Sequence, residues 1–201
     1  MNEELVWVNR ARQGSDEAFT RLVERYQTPV YNLCYRMLGE AEAAEDAAQE
    51  TFLRAYQHLL RYDQGRPFAT WLLSIAAHYC IDRLRRRKLL TFSMDDHQSR
   101  DEERFEIADA NSLDPEDESL RREERAQVQQ LLQSLDALDR AAIVMRYWYD
   151  FSEAEIAETL HLTVSAVKSR LHRARRTLAR HLREESPAMR AQRRPYESPA
   201  F

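Results

Sequence analysis

Residues 151–180 read FSEAEIAETLHLTVSAVKSRLHRARRTLAR, and the fold turns on how this stretch is understood. Ser152 and Glu155 stand at the Ser-x-x-Glu spacing of a capping box, so a helix starts there. Ile156, Ala157 and Leu160 supply its buried face. After a short polar break, Val167, Leu171, Ala174 and Leu178 recur at four- and three-residue steps, which is one side of a second helix. At about 100° per residue, Ser165, Ser169, His172 and Arg176 fall on the opposite side, flanked by Lys168 and Arg173. Small hydroxyls and long cations on one exposed face meet base edges and phosphates together. Seven Lys and Arg lie between Lys168 and Arg183 without one Asp or Glu. An ordinary solvated face mixes signs, so the stretch reads as a helix-turn-helix whose second helix lies on DNA.

Outward from this motif, the composition of the 201 residues is that of an all-helical chain. Three Gly and six Pro leave little material for hairpin turns, while Ala, Leu, Arg, Glu and Gln dominate. The net charge of −4 hides a strong segregation. Arg83, Arg85, Arg86, Arg87 and Lys88 form one acid-free cluster, and the second helix of the motif forms another. Between them, residues 91–122 carry eleven carboxylates against four Arg. Two basic clusters separated by an acidic belt imply two nucleic-acid-facing surfaces and a self-shielding linker. Cys34 and Cys80 sit inside helical patterns, with no CxxC spacing and no neighbouring His, which implies buried reduced thiols and no metal site. The amino-terminal residues lack the regions of a signal peptide and no apolar run approaches ~18 residues, so a cytoplasmic chain is expected.

Residues 16–38 form an amphipathic stretch with Phe19, Leu22, Val23, Tyr26, Val30, Leu33 and Met37 inward, and Pro29 is expected to kink or restart it. Gly39 breaks the pattern; residues 41–60 resume it. Gly65 and Pro67 mark a loop over residues 62–69. A third long helix is expected from about Thr70 to Lys88, burying Leu72, Ile75, Ala76 and Tyr79. Its basic end suits the helix dipole, which accounts for one or two cations but not five. Residues 91–122 hold no sustained period and read as an extended linker. Helices at about 122–138 and 141–149 then lead into the helix-turn-helix. Residues 184–201, with three Pro, read as a loose tail.

Taken together, the two halves resemble a known family. Thr70-Trp-Leu-Leu-Ser-Ile-Ala in the first half, with Glu155-Ile-Ala and Val167-Lys-Ser-Arg-Leu-His-Arg-Ala-Arg in the second, are similar to bacterial RNA polymerase sigma factors of the small two-domain extracytoplasmic-function group. The resemblance spans residues 10–183. It implies two helical domains, a region 2 bundle over residues 10–90 and a region 4 helix-turn-helix over residues 123–183, joined by the acidic linker. Its implied partners are promoter DNA, an anti-sigma factor, and core RNA polymerase through the clamp helices of the largest subunit and the flap. No cofactor is implied.

Carried over by position, the resemblance gives Asp46, Gln49, Glu50, Phe52 and Leu53 the role of docking on the clamp helices. For −10 recognition and melting it points to Asp63, Gly65, Phe68 and Thr70 in and beside the loop, and to His78, Arg83, Arg86 and Lys88 on the following helix. For the −35 element it points to Ser165, Lys168, Ser169, Arg170, His172, Arg173 and Arg176. A walled loop on a rigid helix suits capture of an extruded base. Two departures stand out: His78 replaces the family's usual Asn, and Ser165-Ala166 replaces its Gly-Thr. Trp71 is expected in the core, wedged between helices. The acidic linker is expected to thread a basic channel of the polymerase as a nucleic-acid mimic.

A stand-alone helix-turn-helix regulator, its first domain sensing a ligand or dimerising, is the competing reading; it would footprint a promoter without polymerase. An enzyme has little support, since there is no Gly-rich phosphate loop and no HExxH, and the six His are scattered.

Overall fold

The structure, a computed structural model, describes residues 3–93 and 115–185. Eight α-helices account for most of it: α1 Glu3–Arg12, α2 Asp16–Leu38, α3 Ala41–His58, α4 Phe68–Ser93, α5 Pro115–Gln133, α6 Ala137–Trp148, α7 Glu153–Thr159 and α8 Val164–Glu185. A single 3-10 turn, Leu59–Arg61, follows α3. No strand occurs among the described residues.

The first unit is built on α2. Ser15 caps its start, accepting from the Ala18 N–H at 3.3 Å, and Asp16 and Glu17 add negative charge to the first turn. Leu22, Tyr26, Val30, Leu33, Cys34 and Met37 recur on one buried stripe that α3 and α4 cover. Pro29 neither breaks nor restarts this helix; α2 runs unbroken from Asp16 to Leu38. Gly39 ends it at φ +86°, a left-handed conformation, and its N–H donates to the Tyr35 carbonyl at 2.8 Å. α1, for which the sequence offered no expectation, packs on α2 through the buried Val8 and Ala11.

In the second unit, α6 supplies a buried run from Asp139 to Met145. Asp136 caps it, accepting from the N–H groups of Leu138 and Asp139 at 2.9 Å each. α7 and α8 form the helix-turn-helix, and the expected capping box is present, with Ser152 and Glu155 bonded reciprocally. The turn between them passes through His161 at φ +53°, a region where His is several-fold enriched among non-glycine residues. Val167, Leu171 and Ala174 are buried as the sequence period requires.

Two boundaries differ from expectation. α4 continues to Ser93, and α5 begins at Pro115, so residues 91–93 and 115–122 of the expected linker are helical. Proline at a first helical position loses no hydrogen bond and has its φ already set, which lets a helix begin where a proline suggested a break. The rest of the expected linker, and the tail from residue 186, lie outside the described residues.

The two units do more than share a connection: α2 and α4 of the first touch α5, α6 and α7 of the second. Arg140, buried on α6, donates to the Met37 carbonyl, and Gln129 Nε2 donates to the Tyr35 carbonyl at 3.0 Å. Side chains of the second unit thereby cap the carboxyl end of α2, where the helix leaves carbonyls unpaired and its dipole is negative. A Cβ on Gly39 would come within 2.3 Å of the Gln133 amide nitrogen, so the glycine serves the close approach as well as the turn. The Tyr149 hydroxyl donates to the Pro29 carbonyl at 2.7 Å.

Candidate nucleic-acid interface

Four of the seven residues expected on the −35 element, Ser165, Ser169, His172 and Arg176, are exposed along one side of α8. Ser169 also bonds the Ser165 carbonyl at 3.0 Å. Lys168 is exposed beside them and lies 3.7 Å from Glu153. Thr163 caps the start of α8, its hydroxyl accepting from the Ala166 N–H at 3.2 Å. Arg170 is a correction. Its side chain is 23% exposed and turns back onto α6, donating to Asp139 at 2.7 Å. The periodicity explains this, because about 500° beyond Ser165 the Cβ of Arg170 points toward the core edge rather than the open face.

Arg173 occupies an intermediate position. It donates to Asp139 through Nε at 2.7 Å and Nη2 at 2.9 Å, yet its side chain remains 57% exposed. Asp139, 3% exposed, therefore takes three charge-assisted bonds from the recognition helix. Burial pushes its carboxyl up, but the two guanidiniums outweigh that and hold it below the usual carboxylate range.

The loop before α4 is pinned from several sides. Asp63 Oδ1 accepts from the Gly65 N–H at 2.9 Å, the Tyr62 hydroxyl donates to the Arg66 carbonyl, and Gln64 donates to Asn9 at 2.6 Å. Asp63 and Gly65 are exposed and Thr70 half-buried. Phe68 is a second correction. It is 1% exposed, with ring centroids 5.4–5.6 Å from Tyr26, Tyr62 and Trp71. A loop-edge aromatic reads as exposed in sequence, but here it begins α4 and its ring fills the space below the loop. Trp71 joins the same cluster, as expected.

Arg86 and Lys88 are exposed on the basic end of α4, and Arg83 pairs with Asp46 at 3.4 Å. On α3, Gln49 and Leu53 are exposed, Leu53 by 51%, while Phe52 is half-buried against the core. Glu50 pairs with Arg54 at 2.7 Å. Tyr56 and Leu60, 46% and 69% exposed, continue the Leu53 side apolarly.

His78 is half-buried, and its ring stacks on that of His161 with centroids 5.3 Å apart. Its Nε2 is buried without a hydrogen-bond partner. Burial, then the neighbouring His161, holds its pKa below the ordinary histidine value, against the opposing Thr159 carbonyl and Asp82. Close by, Arg66 of the loop pairs with Glu158 of α7 at 2.5 Å. His78 and the loop before α4 thus face the turn of the helix-turn-helix.

Sequence reasoning missed Asp139, Arg140, Glu158 and His161. Each has its partner in a distant segment, so no local spacing signals it. An Asp in a first helical turn looks like dipole stabilisation alone.

Comparison with known proteins adds the lineage. The chain matches the family described as Sigma-70 region 2 over residues 22–89 and that described as Sigma-70, region 4 over residues 125–178. It is 36% identical over 179 residues to the ECF RNA polymerase sigma factor SigW of Bacillus subtilis, covering 88% of this chain and 95% of that protein. It is 34% identical over 179 residues to the RNA polymerase sigma-H factor of Pseudomonas aeruginosa, covering 87% and 91%. Among solved structures, CnrH in complex with the cytosolic domain of CnrY superposes with a TM-score of 0.65 at 26% identity, covering 92% of this chain and all of that one.

Proposed function

The chain belongs to the extracytoplasmic-function sigma factors of the sigma-70 family, and from that premise we propose how its residues divide the work of promoter recognition. The observation that carries the reading is the pairing of a region 2 match with a region 4 match, the second ending in an exposed Ser/His/Arg face on a capped helix-turn-helix. Ser165, Ser169, His172 and Arg176 read base edges of the −35 element, while Lys168 and Arg173 meet the flanking phosphates. Arg170 acts from behind them, as a tie to α6. Asp63, Gly65, Thr70 and His78 take the −10 strand, with Arg83, Arg86 and Lys88 along its phosphates. Phe68 supports that loop from below.

Gln49 and Leu53, with Asp46, Glu50 and Phe52 beside them, dock on the clamp helices of core polymerase, and Tyr56 and Leu60 extend that face. Region 2 and region 4 are joined through residues 94–114, whose acidic sequence suits a basic channel. An anti-sigma protein is the remaining partner and the cytoplasm the compartment. The chain carries no chemistry of its own.

The closed arrangement has a consequence for this cycle. With His78 against His161 and Arg66 on Glu158, His78 and the loop before α4 are partly covered, while Ser165, Ser169, His172 and Arg176 of α8 stay exposed. The −10 and −35 elements lie tens of ångströms apart on a duplex rising about 3.4 Å per base pair, so the units separate before both are read.

Run-off transcription and footprinting with and without core polymerase test the reading. Promoter protection only in the presence of core supports it. Protection by the chain alone, with no stimulation of core, would make the chain a stand-alone regulator and overturn it.

A further inference from the structure

Asp139 belongs to none of the recognition sets above, yet the recognition helix is fastened to it. It sits in the first turn of α6, 3% exposed, and receives Arg173 Nε at 2.7 Å, Arg173 Nη2 at 2.9 Å and Arg170 Nη1 at 2.7 Å. Asp136, capping the same helix, lies 3.7 Å from Arg170. The apolar face of α8, formed by Val167, Leu171 and Ala174, already packs against the second unit without these bonds. What the bonds add is direction.

Arg173 engages Asp139 through one edge of its fork, Nε and Nη2, and the remaining Nη1 edge belongs to a side chain that is 57% exposed. On the helix wheel Arg173 lies about 80° from Ser165, on the shoulder between the open face and the core. That is where a helix seated in a groove passes closest to the flanking phosphate chain.

We propose that Asp139 is a positioning residue for −35 recognition: it holds the guanidinium of Arg173 edge-on to the DNA phosphate and, through Arg170, fixes the rotation of α8 on α6. This rests on the assignment of α8 to the −35 element. The physical gain is preorganisation. A free Arg has rotamer entropy to lose on binding, whereas a clamped fork has already lost it on folding. A buried carboxylate behind a contacting residue is the arrangement that keeps a recognition side chain within a fraction of an ångström of its productive place.

The test uses holoenzyme reconstituted from the full chain and core polymerase. Two promoters share one −10 element, and one of them has its −35 element scrambled. Asp139→Asn removes the charge in nearly the same volume; Arg173→Lys keeps the phosphate-binding charge but loses the fork. Each is expected to lower the ratio of intact to scrambled transcription about tenfold at a temperature where circular dichroism shows the variant folded. The scrambled promoter, on which no base contacts seat α8, should lose less than the intact one, and the double variant should lose little more than either single one. The Arg173 Nε–Hε resonance should be sharp and shifted in the wild-type chain and should collapse into the exchange-averaged envelope in Asp139→Asn.

A wild-type preference for the intact promoter that Arg173→Lys and a folded Asp139→Asn both retain overturns the proposal while leaving the −35 reading intact. Equal loss on both promoters overturns it as well, since that is the signature of a merely structural carboxylate. Should Asp139→Asn not fold, Arg173→Lys decides alone, because a charge without a fork is enough only if positioning plays no part. A wild-type holoenzyme indifferent to the −35 element overturns the assignment of α8 and the proposal with it.

Discussion

His78 faces His161 across the contact between the two units, and its buried Nε2 finds no partner there. An unsatisfied buried nitrogen costs about 1–3 kcal/mol, which separation of the units would return by exposing it to water or to a base edge. His78→Ala should leave affinity for core polymerase intact while lowering permanganate-detected melting and −10 base preference. His78→Asn should restore melting. Melting and base preference unchanged in His78→Ala would make the ring a purely intramolecular contact. The same residue gives the closed arrangement a pH dependence. Its pKa is lowered when the units are together, so the closed state binds fewer protons than the open one. Closure is therefore strongest above the ordinary histidine pKa of about 6.5 and weakens as pH falls through that value toward the depressed one. Energy transfer between a dye on each unit should drop over that window in the wild-type chain and lose its pH dependence in His78→Asn. A residue's position in a motif identified His78 from the sequence; its ring partner, far along the chain, left no sign there.

Helix α7 is short, only seven residues, and such a helix depends on its cap. Ser152 accepts from the Glu155 N–H while the Glu155 carboxylate accepts from the Ser152 N–H at 2.8 Å. Ser152→Ala should cost about 1 kcal/mol, seen as a lowered thermal midpoint and earlier hydrogen exchange across α7. The hydrogen bonds from Ser152 also hold the Glu155 carboxyl below its ordinary value, so their contribution is full near neutral pH and is lost on acidification through the carboxylate range. Thermal melts at pH 7 and pH 3 should differ less in Ser152→Ala than in the wild-type chain; an equal difference would deny the cap this role. At this scale the sequence was readable where a signal is local and paired, as at Ser152 and Glu155 or at the three-and-four spacing of Val167, Leu171 and Ala174. It misled where one residue serves two opposite purposes. Pro29, expected to kink or restart α2, lies inside one unbroken helix, and Pro115 begins α5 within the stretch expected as linker. Phe68 read as a loop residue because the loop signals around it, Gly65 and Pro67, are strong, while its burial depends on Tyr26 and Tyr62.

Across the whole molecule, the hydrogen bonds between the units among the described residues run from side chains to backbone carbonyls: Arg140 to Met37, Gln129 to Tyr35, Tyr149 to Pro29. These are bonds between long-separated segments, and amphipathic spacing reports only that a face is apolar, not that a carbonyl elsewhere awaits a donor. Among the described residues an ion pair spans the boundary beside the loop before α4, Arg66 with Glu158 at 2.5 Å, both side chains about half exposed. Deleting an exposed pair of this kind changes little, typically up to about 1 kcal/mol, so reversal is the informative substitution. Glu158→Arg sets two guanidiniums against each other and should lower the closed-to-open ratio about fivefold, the equivalent of ~1 kcal/mol. Arg66→Glu alone should set two carboxylates together with a similar result. Combining Arg66→Glu with Glu158→Arg reverses the pair without removing it and should return the closed fraction toward wild type. Energy transfer between the units, measured on the free chain at low and high salt, reads all four proteins, and the differences should shrink as salt screens the exposed charges. Single reversals that leave the transfer unchanged, or a double reversal no more closed than either single one, would show that this pair does not hold the units together in solution. If the pair does hold them, the loop before α4 and the turn of the helix-turn-helix shield one another in the free chain, while the face of α8 that carries Ser165 and Arg176 stays exposed. The shielded loop is then freed only when another contact favours the open form.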